Sequence, residues 1–420
     1  MSSKKKTTDT KEDAKPALVP KLRFPEFRGV EGWQQKSLGG LCRIRTGKKD
    51  ANEGAVDGAY PFFTCAEKHI YSHNYSFDAE AILIAGNANV GQTSYYNGKF
   101  EAYQRTYVLT DFKGIFVPYL YSVLSANLRP DLLAQVQISA MSYIRLPMLE
   151  EYQINAPSSQ AEQHKIAECL SSVDEVIAAQ ARKVDALKTH RKGLMQQLFP
   201  REGETQPRLR LPEFKNAGEW ERTTIGELNP FVTSGSRGWA AFYADKGELF
   251  VRITNLWRDS IYLDLTDSKF VQLPPGANEG VRTQLKEHDV LISITADIGI
   301  VGYVDKSVPS PAYINQHIAL VRFVEGQLCG KFVAYFLASE ESQRLFRAST
   351  DNGAKAGMNL IGIQKIGLML PSVPEQHRIA NCLSSLDTLI TAETQKFEAL
   401  KRHKRGLMQQ LFPSPEEVAG

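Results

Sequence analysis

EQHKIAECLSSVDEVIAAQARKVDALKTHRKGLMQQLFP, beginning at Glu162, returns as EQHRIANCLSSLDTLITAETQKFEALKRHKRGLMQQLFP, beginning at Glu375. About 25 of roughly 39 positions are identical and none is gapped, so the chain carries an internal duplication. Taken at alternating spacings of four and three, the first copy gives Ile166, Leu170, Val173, Ile177, Gln180, Val184, Leu187, Arg191, Leu194 and Leu198. The second gives Ile379, Leu383, Leu386, Ile390, Glu393, Phe397, Leu400, Lys404, Leu407 and Leu411. An apolar period of 3.5 residues is the seam of a left-handed coiled coil. The polar interruptions Gln180 and Arg191 recur as Glu393 and Lys404, where they cost stability but select a register.

Each copy therefore predicts one long helix. Ser159 and Ser372 stand three residues before Glu162 and Glu375, a capping-box spacing. Leu-Phe-Pro ends each helix, since proline cannot continue it. The seam is too long and regular for a helix that covers a single globule, so each copy is expected to pack on the other. Either direction is sterically open, and antiparallel is the expectation. At 1.5 Å per residue such a helix is roughly 58 Å long, the span of about 17 base pairs.

A second repeat precedes each helix. LRFPEF from Leu22 is echoed by LRLPEF from Leu209, each followed by a tryptophan, Trp33 or Trp220. The echoes start 187 residues apart and the helices 213, so the second half is longer by 26 residues, all in its globular part. AILIAGNANVG from Ala81 and DVLISITADIG from Asp289 both predict a buried strand and a glycine-requiring turn. Tyr103-Gln104-Arg105 precedes a predicted strand at 107–109, and Asn315-Gln316-His317 one at 318–321. Segments 117–124 and 332–337 predict helices. The expected architecture is α+β: two mixed α/β globules joined by two long helices in an antiparallel coiled coil, with a pseudo-two-fold internal repeat. The expected boundaries are a disordered tail at 1–20, globules at 21–157 and 201–371, helices at 158–200 and 372–413, and a tail at 414–420.

Composition limits the function. A chain of 420 residues supports two or three domains with real cores. Net charge of +3 permits a polyanionic partner without demanding one. Five cysteines without a Cys-x-x-Cys pair indicate neither a disulfide framework nor a zinc site, which fits a reducing cytoplasm. Cys169 and Cys382 occupy one repeat position and suit small buried apolar groups. The lysine-rich start lacks the apolar core of a secretory signal, and no apolar run is long enough for a membrane helix. Phosphate-cradling, dinucleotide and nucleophile-elbow motifs do not occur. No metal or catalytic residue is nominated.

The globules instead offer arginine, amide and aromatic side chains on predicted loops. Arginine grips guanine O6 and N7 with two hydrogen bonds, and asparagine or glutamine does the same for adenine. Lysine and small hydroxyls suit phosphate. DNA-binding candidates in the first globule are Arg43, Arg45, Lys48, Lys68, His69, Asn87, Asn89, Gln92, Tyr95 and Arg105. Those in the second are Ser234, Ser236, Arg237, Trp239, Tyr243, Arg252, Asn255, Trp257 and Arg258. The basic clusters KTHRK from Lys188 and KRHKR from Lys401 complement the carbonyl end of each helix or serve a phosphate or protein partner, and both readings stand.

With these motifs in view, the chain resembles specificity subunits of type I restriction-modification systems. The likeness rests on the paired EQH…SS(V/L)D segments, the paired GLMQQLFP ends, GNANVGQTSYYNGKF, TSGSRGWAAFY, VRITNL and PAYINQHIAL. It implies two target-recognition domains on an antiparallel spacer, each reading one half of a split, asymmetric double-stranded DNA sequence. It also implies a non-catalytic chain that needs no cofactor of its own. The implied partners are two methyltransferase subunits, which use S-adenosylmethionine, and two ATP- and magnesium-dependent motor-nuclease subunits. The outer helix faces, at Glu168 and Lys183, are the expected docking positions. The alternative is a coiled-coil scaffold whose globules bind something other than DNA.

Overall fold

The computed structural model describes residues 19–135, 143–276, 280–350 and 358–413. The expected tails, but for Val19 and Pro20 and for the helix end at Pro413, lie outside the described residues. The chain falls into two compact units, one built from residues up to 181 and from 396 onward, the other from 182–395. The division therefore runs through both long helices.

The first unit contains β1 (Gln34–Ser37), α1 (Leu38–Leu41), β2 (Arg43–Thr46), β3 (Tyr60–Phe63), β4 (Ile70–Ser72), β5 (Phe77–Ala85), β6 (Thr93–Ala102) and β7 (Thr106–Thr110). Then come α2 (Val117–Gln135), α3 (Leu146–Glu150), β8 (Gln153–Ala156) and the long helix α4 (Gln160–Leu198). Six strands form one sheet in the order β2-β7-β5-β6-β3-β4, and β1 pairs with β8. Period-two alternation explains why β5 is apolar from Ala81 to Ala85, its buried half: Ile82 and Ile84 enter one core, Ala81 and Leu83 the other. The first core also holds Trp33, Leu109, Tyr119, Leu120 and Leu124. Helix α2 runs past the predicted 124, through Pro130, because Leu128 and Leu132 bury its last turns.

The second unit contains β9 (Glu221–Thr224), β10 (Phe231–Ser234), β11 (Tyr243–Ala244), β12 (Glu248–Val251), β13 (Lys269–Val271), β14 (Val290–Ser293), β15 (Val301–Tyr303), β16 (Ala312–Ile314) and β17 (Ile318–Arg322). It continues with α5 (Gly330–Leu337), α6 (Glu340–Thr350), α7 (Leu360–Gln364), β18 (Gly367–Leu370) and the long helix α8 (Val373–Leu411). Its main sheet has the order β10-β17-β14-β15. That is the order β2-β7-β5-β6 over again, so the loosely related globules share one scaffold. Alternation repeats as well: Val290 and Ile292 face one core, Leu291 the other. This half also has a separate sheet, β11-β13-β12-β16, whose parallel pair β12–β16 matches β3–β6 of the first unit.

Three repeated motifs turn out to be one device. In the first unit, Arg23 of LRFPEF donates from Nε and Nη2 to Glu162 at 2.8 and 2.7 Å, and Leu22 N donates to Gln410 O at 2.9 Å. In the second, Arg210 holds Glu375 at the same distances, and Leu209 N donates to Gln197 O at 2.9 Å. Each LRxPEF thus ties the start of one helix to the end of the other. Gln163 and Gln376, next to these glutamates, accept from Phe116 N and Cys329 N, at the starts of α2 and α5. The expected capping box is therefore replaced. Glu162 and Glu375 turn into the globules, where a buried guanidinium makes a stronger partner than the Ser159 or Ser372 amide.

Every seam position predicted above is buried or half-buried, the four polar ones included. In the second unit Lys183 pairs with Glu393 at 2.6 Å, and Arg191 pairs with Asp387. In the first unit Lys404 pairs with Asp174 at 2.6 Å. Climbing α4 from 183 to 191 descends α8 from 393 to 387, so the helices run antiparallel. Arg191–Asp387 and Lys404–Asp174 are the same pair in the two copies. Pairs with one solvent-exposed partner, such as Lys183–Glu393 and Lys404–Asp174, contribute only about 0–1 kcal/mol, but they specify register. Ile166, Ala167 and Leu170 of α4 and Leu411 of α8 enter the first unit's core, while Met195 and Leu198 of α4 and Ile379, Ala380 and Leu383 of α8 enter the second's. Cys169 and Cys382 are half-buried rather than buried. Among the described residues no helix is long and apolar enough to cross a membrane.

Candidate nucleic-acid interface

In the first unit three loops converge beside the turn joining β6 to β7. Gly47 N donates to Thr106 O at 3.2 Å and Gln104 N to Lys49 O at 2.9 Å. Gly86 N donates to Arg105 O at 2.9 Å, and Asn89 Nδ2 to Cys65 O at 2.9 Å. The approach at residue 47 admits only glycine, since a Cβ there would lie 1.8 Å from Ala102 O. This brings Lys48, Lys68, Asn87, Asn89, Gln92 and Arg105 to one place. Lys48, Lys68 and Arg105 are exposed, and their side chains form no salt bridge or hydrogen bond among the described residues. Lys49 next door is engaged, 3.1 Å from Ser72 Oγ and 3.5 Å from Glu101. His69 packs on Phe63 and Tyr71.

Other candidates of this half lie elsewhere. Arg43 sits at the opposite end of β2, in a cleft with Asp111, Lys113 and Glu150. Arg45 donates to Thr110 Oγ1 at 2.9 Å and lies over the Phe77 ring. Tyr95 donates to Glu80 at 2.8 Å, and burial together with that carboxylate pushes its phenol up to about 12. It therefore stays a neutral donor at physiological pH.

The second unit builds the same place with different side chains. Ile294 N donates to His317 O at 2.9 Å, as Gly86 N does to Arg105 O. The turns after β5 and β14 also match, with Ala88 and Ala296 at φ of 53° and 59°. Gly235 repeats the close approach of Gly47: a Cβ would lie 2.2 Å from the Asn315 carbonyl. Beyond it stand Ser236 and the exposed Arg237, which has no partner among the described residues. Sequence reasoning missed Gln316 and His317 at this turn, with Gln316 Nε2 3.0 Å from His317 Nε2 and Thr295 Oγ1 on Nδ1. The match between YQR and NQH was the available signal. It also missed Arg282, which no local pattern marks.

Several candidates of this half are internal. Trp239 is 3% exposed and stacks on Phe250, so it is a core residue. Asn255 is 1% exposed and bonds Asp264 O and Arg252 N, holding its own turn. These two are removed from the surface by burial. Arg252 bonds Asp267, and Arg258 bonds Asp297, Gln343 and Ile298 O. Tyr243 and Trp257 are exposed. Ser234 is half-buried at the end of β10.

A family model described as the type I restriction modification DNA specificity domain matches residues 30–189 and 275–402. The chain is 39% identical over 141 residues to the type I restriction enzyme EcoDI specificity subunit of Escherichia coli, covering 34% of this chain and 31% of that protein. It is 22% identical over 411 residues to the MjaVIII specificity subunit of Methanocaldococcus jannaschii, covering 93% and 95%. A crystal structure of a type I restriction-modification S subunit from M. genitalium covers 94% of this chain and 100% of that one, with a TM-score of 0.61 and 16% identity.

Proposed function

The chain belongs to the type I restriction modification DNA specificity family, and from that premise we propose that it reads a split, asymmetric sequence in double-stranded DNA, one half with each globule. The loop clusters are the reading heads. One observation carries this: two dissimilar halves keep the same strand order and the same impassable glycine, and each sets just beyond it a cation with no partner among the described residues, Lys48 in one and Arg237 in the other. A shared frame with exchanged tips is what reading two different half-sites requires.

The helices then set the gap between the half-sites and dock two methyltransferase subunits. Those partners bring S-adenosylmethionine chemistry to adenine, and two ATP- and magnesium-dependent motor-nuclease subunits complete the restriction complex. This chain supplies recognition and no bond-making step. Selection from a random duplex pool with the complex reconstituted from this chain and a methyltransferase should enrich two short motifs separated by a constant gap. Binding should fall steeply with salt. Recovery of unselected DNA would support the scaffold reading instead.

Arg237→Ala should relax the second half-site alone, at a cost of roughly 1–3 kcal/mol against the preferred base. A uniform loss over all sequences would make Arg237 a phosphate contact. For docking, Lys183 is a poor probe because it pairs with Glu393. Val176 and Leu389 are better: they are exposed, apolar, and the same position of the two copies. Val176→Glu and Leu389→Glu should each reduce methyltransferase co-purification while leaving the thermal midpoint unchanged. Full retention of both partners in the double variant would place docking elsewhere.

A further inference from the structure

We infer that Arg282 is the positioning residue that holds the 234–238 loop and thereby aims Arg237 at a base edge of the second half-site; this rests on the DNA reading proposed above. The guanidinium donates from Nη1 to Thr233 Oγ1 and from Nη2 to Ser236 Oγ at 2.8 Å. Thr233 is 3% exposed, at a position of β10 that pairs with Leu320 of β17, so one of the two acceptors is fixed by the sheet. The other acceptor lies in the loop. Arg282 therefore staples the loop to the strand that launches it.

Two further anchors leave one residue unrestrained. Gly235 lies against the Asn315 carbonyl, with no space for a side chain. Past Gly238, whose φ of 92° turns the chain, Trp239 is buried against Phe250 and Tyr313. Between these anchors Arg237 is exposed and bonds nothing among the described residues. A guanidinium that must meet O6 and N7 of one guanine together needs its backbone held, because a wandering loop spends binding free energy on ordering.

The first unit holds its matching loop otherwise. There Lys49 O accepts from Gln104 N, and Lys49 Nζ bonds Ser72 and Glu101. No arginine plays the part of Arg282 at that loop among the bonds described. The effect of losing Arg282 should therefore fall on one half-site only, which a general electrostatic role would not produce.

The test uses the full chain in complex with its methyltransferase, with selection from random duplex DNA. Arg282→Ala should lower base discrimination in the second half-site at least tenfold and leave the first half-site unchanged. Ser236→Ala should act in the same direction, and Arg282→Lys should restore part of the loss. Adding Arg282→Ala to Arg237→Ala should cost little further discrimination, because the staple acts through the residue already removed. Unchanged second-half discrimination in Arg282→Ala would overturn the inference. So would an equal loss over all sequences with a salt slope lowered by about one, which marks a phosphate contact. Should Arg282→Ala fail to fold, Ser236→Ala decides by the same two readouts. A wild-type complex that enriches no split sequence would defeat the DNA reading itself, and this inference with it.

Discussion

Glu162→Ala should destabilise the first unit by about 3–5 kcal/mol, a large share of the stability of a single domain. The carboxylate is wholly buried and receives Arg23 Nε at 2.8 Å, Arg23 Nη2 at 2.7 Å and Trp33 Nε1 at 3.2 Å. Truncation leaves a guanidinium that is 7% exposed without its counter-charge, although its bonds to Val30 O and Glu31 O survive. The cost is that of the stranded charge more than of the lost attraction, so replacing both partners by apolar residues should restore much of it. Glu375→Ala should act on the second unit through Arg210 and be somewhat milder. The Trp220 indole, counterpart of Trp33, does not bond that glutamate and has no hydrogen-bond partner among the described residues. Chemical denaturation followed by hydrogen exchange resolves the two units. A Glu162→Ala midpoint within 1 kcal/mol of wild type would show that the latch is not structural.

Inserting seven residues after Ala181 and seven after Gln395 should lengthen the preferred gap between half-sites by about three base pairs, because a heptad adds about 10 Å of helix. Each insertion falls at the boundary between the two units, so Asp174–Lys404 within the first and Lys183–Glu393 and Arg191–Asp387 within the second keep their register. A full heptad also keeps the apolar seam in phase. Some loss of affinity should accompany the shift, since three base pairs turn the duplex by about 100°. The measurement is the gap recovered by selection on random DNA. An unchanged gap with preserved binding would remove the helices from any measuring role.

The seam of the long helices was open to reading because a period of 3.5 residues is a one-dimensional signal that survives without tertiary context. The latch was only half visible. LRxPEF, EQH and QQLFP could be seen to repeat, but not that Arg23 meets Glu162 139 residues away. Local spacing suggested a capping box there, and a long-range charge pair prevailed over it. The loop candidates show the other limit. Residue type alone ranked Trp239 and Asn255 beside Arg237, and burial separated them.

Sequence alone determined that this protein is a duplicated pair of mixed globules on two coiled-coil helices, since duplication, apolar period and terminating prolines are all written along the chain. Tertiary structure alone decided that the two globules share one strand order, which loop-tip cations have no partner among the described residues, and that Arg282 reaches back to Thr233 and Ser236. Those facts depend on which backbones approach too closely for a Cβ and which charges find partners, and neither is a property of neighbours in sequence.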